Sequence, residues 1–284
     1  MRFLVLGASG MAGHVICIYL KEQGYDVTGF SRRDVNFATS IAGDVRDTEL
    51  LQTVIEKGNY DVVINAVGVL NQFAENDKEN AAFVNAYLPH FLAKITETMP
   101  TRIIHMSTDC VFAGNSGPYT ETSLRDGVSF YDRSKALGEL EDGKNLTLRN
   151  SIVGPDINEN GIGLLNWFMK QTEVNGFTHA MWTGLTTLQL AKIMEAAALD
   201  NVTGLINMVP EGNISKYELL KLFNHYICHD SVVVNAYDQF ALDKTLVRTN
   251  FIWDYAVPSY EVMVAEMAEW MRDHKELYLH YKLQ

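Results

Sequence analysis

The sequence predicts an α/β fold: a doubly wound parallel sheet followed by a smaller mixed α/β C-terminal domain. Three observations predict it. Short runs rich in Val and Ile alternate with helix-length amphipathic segments through the first half of the 284-residue chain. These runs lack strict polar alternation, as strands buried on both faces of a parallel sheet do. A glycine-rich turn, GASGMAG at 7–13, joins the first apolar run to the first helical segment.

Strands are predicted at 3–6 (FLVL), 26–30 (DVTGF), 61–67 (DVVINAV), 102–107 (RIIHMS) and 145–150 (NLTLRN). Helices are predicted between them at 11–23, 47–57, 78–98 and 130–142. Repeated β-α units imply right-handed crossovers and helices on both faces of one sheet. Beyond residue 150 the pattern is less regular. Helices are expected at 161–174, 187–199, 215–228 and 259–273, with short strands near 204–208 and 231–235. The division expected is a dinucleotide-binding Rossmann domain over 1–153 and a substrate-binding domain over 154–284. A segment near 186–200 is expected to return to the first domain. The stretch 259–284, with Trp270, reads as an amphipathic helix that packs on the body or on a second copy in a homodimer.

Composition narrows the partners. A formal charge of −12 argues against a general nucleic-acid or anionic-membrane binder, because both reward a basic surface. An anionic ligand must then be held by local devices such as helix N-termini or a few arginines. The opening residues superficially resemble a signal peptide, but three glycines interrupt the apolar run, and a stretch of about 18 apolar residues is lacking. Cys17, Cys110 and Cys228 are few and widely spaced, which fits a reducing cytoplasm better than a disulfide framework. His225 and His229 flank Cys228 at helical spacing, yet no third ligand accompanies them and no metal is expected.

In the turn, Gly7, Gly10 and Gly13 enclose Ser9 and Met11. Glycines at this spacing permit a tight turn, close approach to a pyrophosphate, and close helix–strand contact. The helix N-terminus offers unpaired N–H groups to the phosphates. The GxxGxxG spacing resembles extended short-chain dehydrogenases/reductases. In such folds an acid closing the second strand binds the ribose hydroxyls. Here GFSRRD places Ser31, Arg32 and Arg33 there, and a guanidinium suits a 2′-phosphate, so NADPH is favoured with NADH as the alternative. The resemblance also implies cofactor contacts at Asp44 and Val45, at Asn65, Ala66, Val67 and Gly68, and at Asn85 and Ser107.

The fifth strand closes in Ser107, Thr108 and Asp109, and YDRSK follows at 131–135. Residues four apart share a helix face, so Tyr131 and Lys135 project together. The ammonium is expected to lower the phenol's pKa, Tyr131 to protonate an alkoxide, and Thr108 to polarise the same oxygen. The spacing recurs at Tyr217…Lys221 and Tyr278…Lys282, where no strand ending in hydroxyl residues precedes it.

STDCVFAG, YDRSKALGE and LTLRNSIVGP together resemble the dTDP-4-dehydrorhamnose reductases, most strongly over 1–155. Those enzymes use NAD(P)H to reduce a 4-keto-6-deoxy sugar on a nucleoside diphosphate, in the synthesis of cell-surface polysaccharide precursors. The resemblance implies Thr108, Tyr131 and Lys135 as the catalytic triad, and a sugar site at Asp109, Cys110, Val111 and Asn150. Trp182, Thr183 and Thr187 are expected to shape the sugar or base site. Sugar-nucleotide dehydratases carry Asp-Glu after the Thr, whereas this chain has Asp109-Cys110. The chain also departs from the family pattern at Cys110, Asp132, Arg149-Asn150 and NGFTHAMWTG. Two other readings stay open: a non-catalytic cofactor-binding subunit, and a sugar-nucleotide epimerase with tightly bound NAD, against which Arg32 and Arg33 speak.

Overall fold

The computed structural model describes residues 1–283. In chain order it holds β1 (Arg2–Leu6), α1 (Met11–Glu22), β2 (Asp26–Ser31), β3 (Thr39–Ala42), α2 (Thr48–Gly58) and β4 (Val62–Asn65). There follow α3 (Asn71–Asn76), α4 (Lys78–Ala81), a π-helical turn (Ala82–Tyr87), α5 (Leu88–Ile95), β5 (Arg102–Ser107), α6 (Phe130–Leu137) and β6 (Leu146–Arg149). The remainder is β7 (Ser151–Val153), α7 (Leu164–Phe168), β8 (Glu173–Trp182), β9 (Gly184–Thr186), α8 (Thr187–Leu199) and β10 (Gly204–Asn207). The chain then forms β11 (Ile214–Ser215), α9 (Lys216–Tyr226), β12 (Val233–Asp243) and α10 (Tyr260–Asp273).

Seven strands form one parallel sheet in the order β10-β6-β5-β4-β1-β2-β3. This is the doubly wound Rossmann order, with its switch between β1 and β4. The central strands are apolar because both faces are covered. Phe3, Val5, Val62, Ile64 and Ile104 pack on one side with α1 and α8, and Leu4, Leu6, Val63 and Ile103 on the other with α2 and α5. A second sheet, β11-β8-β12, stands apart, and β7 pairs with β9. Helix α8 packs on α1, and β10 extends the large sheet beside β6.

Several elements differ from expectation, each for a local reason. The segment 161–174 is helical only over α7; a strand begins at Glu173. In β8 the inward positions are Val174, Gly176, Ala180 and Trp182, so two small residues hide the period-two signal. Gly176 is small because Tyr217 packs against its backbone. The segment 78–98 divides at the π-helical turn. Pro89 lacks the N–H that would bond the Asn85 carbonyl, and α5 restarts with that proline in its first turn. Helix α6 stops at Gly138, where an added Cβ would strike the Asn85 carbonyl oxygen. Strand β3 was absent from the expected strands, and β12 runs to Asp243, well past 235.

Candidate active site

Across the carboxyl ends of β1, β2 and β4 lies a cleft of about 580 Å³. Gly7, Ser9 and Gly10 line one wall, Ser31, Arg32, Asp44 and Val45 the far end, and Ala66, Val67 and Gly68 the other wall. Gly7 has φ +84, a conformation that favours glycine, and a Cβ on Gly13 would run into the Gly7 carbonyl oxygen. The turn therefore requires glycine for conformation at one position and for close approach at the other. It leaves the start of α1 bare toward the cleft, the geometry that accepts a pyrophosphate. Asp44 is bonded to Arg46 (2.7 Å), whose hydrogen bond holds its carboxyl below the usual range. Arg32 and Arg33 have no carboxylate within 4 Å among the described residues, and both border a second cleft of about 790 Å³ that Ser9 also lines. These residues fit a dinucleotide.

The first cleft continues past Gly10, Ala66–Gly68 and Asp156 into an inner cavity of about 390 Å³. Met11, Ser107, Thr108, Asp109, Cys110, Tyr131, Lys135 and Asn150 line it. Thr108 ends the extension of β5, and its hydroxyl accepts from the Cys110 N–H (3.1 Å) and donates to Asp109 (3.1 Å). Tyr131 and Lys135 come from α6, which starts at a capping box: Ser129 accepts from the Asp132 N–H, and Asp132 accepts from the Ser129 N–H.

Electrostatics in the inner cavity differ from the sequence expectation. No hydrogen bond joins Lys135 to Tyr131 among the described residues; Lys135 Nζ donates to the Met106 carbonyl (2.6 Å) and lies 3.4 Å from His105 Nε2. Burial raises the Tyr131 phenol above its ordinary value, Cys110 adds to this, and Thr108 offsets part of it. The predicted lowering is thus reversed in the protein alone, and Tyr131 stays protonated at neutral pH. Burial brings Lys135 down to about 8, opposed by Glu139. Burial raises Asp109 despite Lys216, and pushes the Cys110 thiol up to about 12.

Two buried networks fix these side chains. Asn85, in the π-helical turn, accepts from the Val69 N–H (2.9 Å) and donates to the Val69 carbonyl (2.9 Å) and to Ser134 of α6 (3.1 Å). It ties the cavity wall to the helix bearing Tyr131. Glu139 accepts from Ser107 (2.5 Å) and from Arg149 (2.8 and 2.7 Å), and pairs with Arg125. The Arg149 guanidinium is fully buried and lies over Phe112.

Some predicted contacts fall outside the two cavities. Gly13 and Asn85 act behind the cleft as described, and Asn65 faces His105 in the sheet (3.1 Å). Val111 is enclosed beside Phe112 and Tyr119. Trp182 is 4% exposed, its ring covered by Lys216 and Tyr260, so it offers no free stacking face. Thr183 accepts from the Leu246 N–H (2.8 Å), and Thr187 packs against Gly154. All three belong to the join between β9 and its neighbours, where chain crossings leave no open surface. The sequence reading also missed Asp156, which borders both cavities and sits in no motif that would have marked it.

The sequence matches the family model described as the RmlD substrate binding domain over residues 1–221. The chain belongs to that family. It is 34% identical over 142 residues to a dTDP-4-dehydrorhamnose reductase of Burkholderia thailandensis, covering 49% of this chain and 45% of that protein. It is 29% identical over 141 residues to a dTDP-4-keto-6-deoxy-D-glucose reductase of Streptomyces niveus, covering 49% and 46%. The matched stretch thus spans about half the length of these curated relatives. Among solved structures, a dTDP-4-dehydrorhamnose reductase of Bacillus anthracis in complex with NADP superposes with a TM-score of 0.79, at 19% identity over 94% of this chain and 98% of that one. The Bordetella bronchiseptica enzyme WbmG in complex with NAD and UDP gives 0.76, at 18% identity over 96% of each chain. These likenesses show a shared Rossmann fold.

Proposed function

We propose that the chain is a nicotinamide-dependent reductase of a keto sugar carried on a nucleotide, of the 4-keto-6-deoxy class, with NADPH as its preferred cofactor. One observation carries the reading: Thr108, Tyr131 and Lys135 line a single cavity that opens into the glycine-turn cleft. The reductases among the relatives, and the neighbour solved with NADP, support it.

Gly7–Gly10 and the start of α1 would hold the pyrophosphate, Arg32 a 2′-phosphate, and Ala66–Gly68 the nicotinamide side of the cleft. When bound, a reduced nicotinamide supplies a hydride. The chain's own residues manage the oxygen of the substrate carbonyl. The Thr108 hydroxyl, turned from Asp109, would donate to that oxygen and polarise it. Tyr131, a protonated phenol, delivers its proton as the alkoxide forms. Lys135, anchored on the Met106 carbonyl, presents a positive charge that favours the phenolate left on Tyr131 when its proton is delivered.

The test is NADPH oxidation against a panel of 4-keto-6-deoxy sugar nucleotides. Tyr131→Phe is expected to lower kcat by roughly 100-fold or more while leaving NADPH affinity unchanged. Turnover untouched by that substitution would overturn the assignment of the proton donor. Tight cofactor binding with no turnover on any sugar would overturn the reductase reading in favour of a cofactor-binding subunit.

A further inference from the structure

The loop between β7 and α7 touches every cavity of the site. Asp156 and Asn158 border the first cleft, and Ile157, Asn158 and Glu159 the second. Asp156, Ile162 and Gly163 border the inner cavity. A dinucleotide in the outer clefts therefore lies against the same short stretch that walls the inner cavity.

The loop is pinned at both ends. At its start the Asp156 N–H donates to the Tyr281 hydroxyl (3.0 Å), and the Asp156 carboxylate accepts from the Asn158 N–H (2.8 Å). Gly161 folds back onto that carboxylate, where an added Cβ would come within 2.2 Å of its Oδ2. A shift along the loop must then move Asp156. Asn166 holds the far half. It lies on α7, whose Leu165 and Phe168 are packed in the core with Val174 and Phe223. Its Nδ2 donates to the carbonyls of Gly161 (2.6 Å) and Glu159 (3.0 Å). Carbonyls can only accept, so the amide must face them with its nitrogen. Its oxygen is left buried without a partner in a side chain that is wholly enclosed. An unpaired buried acceptor is a standing cost, and packing alone does not call for an amide there. Ile162 shows what the loop offers the inner cavity. It is an apolar side chain that lines the cavity and is still 52% exposed, a surface that a bound sugar would cover.

We propose that Asn166 is a positioning residue: through the Asp156–Gly163 loop it lets bound cofactor shape the wall of the substrate cavity, an inference that rests on the reading of the site as a reductase. The dinucleotide meets Asn158 and steadies the loop. The steadied loop holds Asp156 and Ile162 against the substrate. Occupancy of one site is thereby felt in the other without a domain movement.

The loop carries its own probe, because Glu159 is exposed between the pinned ends and offers a cut site to a glutamate-specific protease. Glu211 is also exposed and borders none of the three cavities, so it serves as the control. In the unaltered full chain, saturating NADPH is expected to slow cleavage after Glu159 roughly tenfold and to leave cleavage after Glu211 unchanged. Asn166→Leu is expected to speed cleavage after Glu159 without cofactor and to reduce the protection. It should also raise KM for NADPH and for the keto sugar nucleotide severalfold, with kcat less affected. Asn166→Ser, which keeps one donor, is expected to recover part of each loss. Ile162→Ala is expected to raise KM for the sugar nucleotide alone. Equal protection at the two glutamates, or none at Glu159, overturns the proposal and needs no variant to fold. So does an Asn166→Leu protein in which both KM values are unchanged. A chain that reduces a keto sugar nucleotide yet leaves Glu159 unprotected loses only the role of the loop. One that protects Glu159 but reduces nothing keeps that role toward the cofactor and loses the reductase reading.

Discussion

Arg32 stands at the carboxyl end of β2 with no carboxylate within 4 Å among the described residues, bordering the two outer clefts at once. A charge-assisted hydrogen bond to a phosphate contributes about 1.5–3 kcal/mol. Arg32→Ala is therefore expected to weaken NADPH roughly tenfold or more and to leave NADH almost unchanged, as measured by the ratio of the two KM values. An unaltered ratio would remove the guanidinium from cofactor selection. The sequence made much of this residue scale legible, because glycine spacing and i, i+4 pairing are local properties. Tyr131 and Lys135 do line one cavity together. Their electrostatics were not legible. The phenol's upward shift comes from burial and from Cys110 and Asp109, and the ammonium's partner is a strand carbonyl; each is remote in sequence from α6.

At the scale of elements, α1 shows how the glycine turn is braced. The Gly10 carbonyl can only accept, so His14 Nδ1 carries the proton (2.9 Å), and Nε2 accepts from the Tyr278 hydroxyl (2.7 Å). Burial lowers the His14 pKa from 6.5 to about 4. The unfolded chain therefore takes up a proton near 6.5 that the folded chain refuses until about 4, and stability falls as pH drops through that window. The loss amounts to roughly 3 kcal/mol by the lower end. His14→Gln, which cannot titrate, is expected to flatten the dependence of urea unfolding free energy between pH 7 and 4.5. An identical slope in the variant would show that other groups carry the acid sensitivity. Nothing in the stretch around His14 forecasts this bond, since its partner lies 264 residues away.

For the whole molecule, the doubly wound sheet was legible because its strands are continuous apolar runs set between helices. The smaller sheet was not. Strands β8 and β12 pair in parallel across a long separation, and the inward face of β8 is built partly from Gly176 and Ala180. The end of the chain also returns to the site: the Tyr281 hydroxyl accepts from the Asp156 N–H (3.0 Å), in the loop that borders both cavities. Tyr281→Phe leaves that buried N–H without an acceptor, at a cost of about 1–3 kcal/mol. The variant is expected to unfold at lower urea and to bind NADPH more weakly; unchanged values of both would make the bond incidental.

The route of the backbone between the two sheets has a consequence for how such proteins diversify. The chain leaves the large sheet after β6, builds β8, returns for α8 and β10, and leaves again for β11, α9 and β12. No single splice point separates the two halves. Recombination of intact modules cannot give this scaffold a new substrate preference, since every exchange would sever α8 from α1 or β10 from β6 unless several junctions changed together. New preferences must arise by substitution in place, at positions such as Cys110 and Asn150.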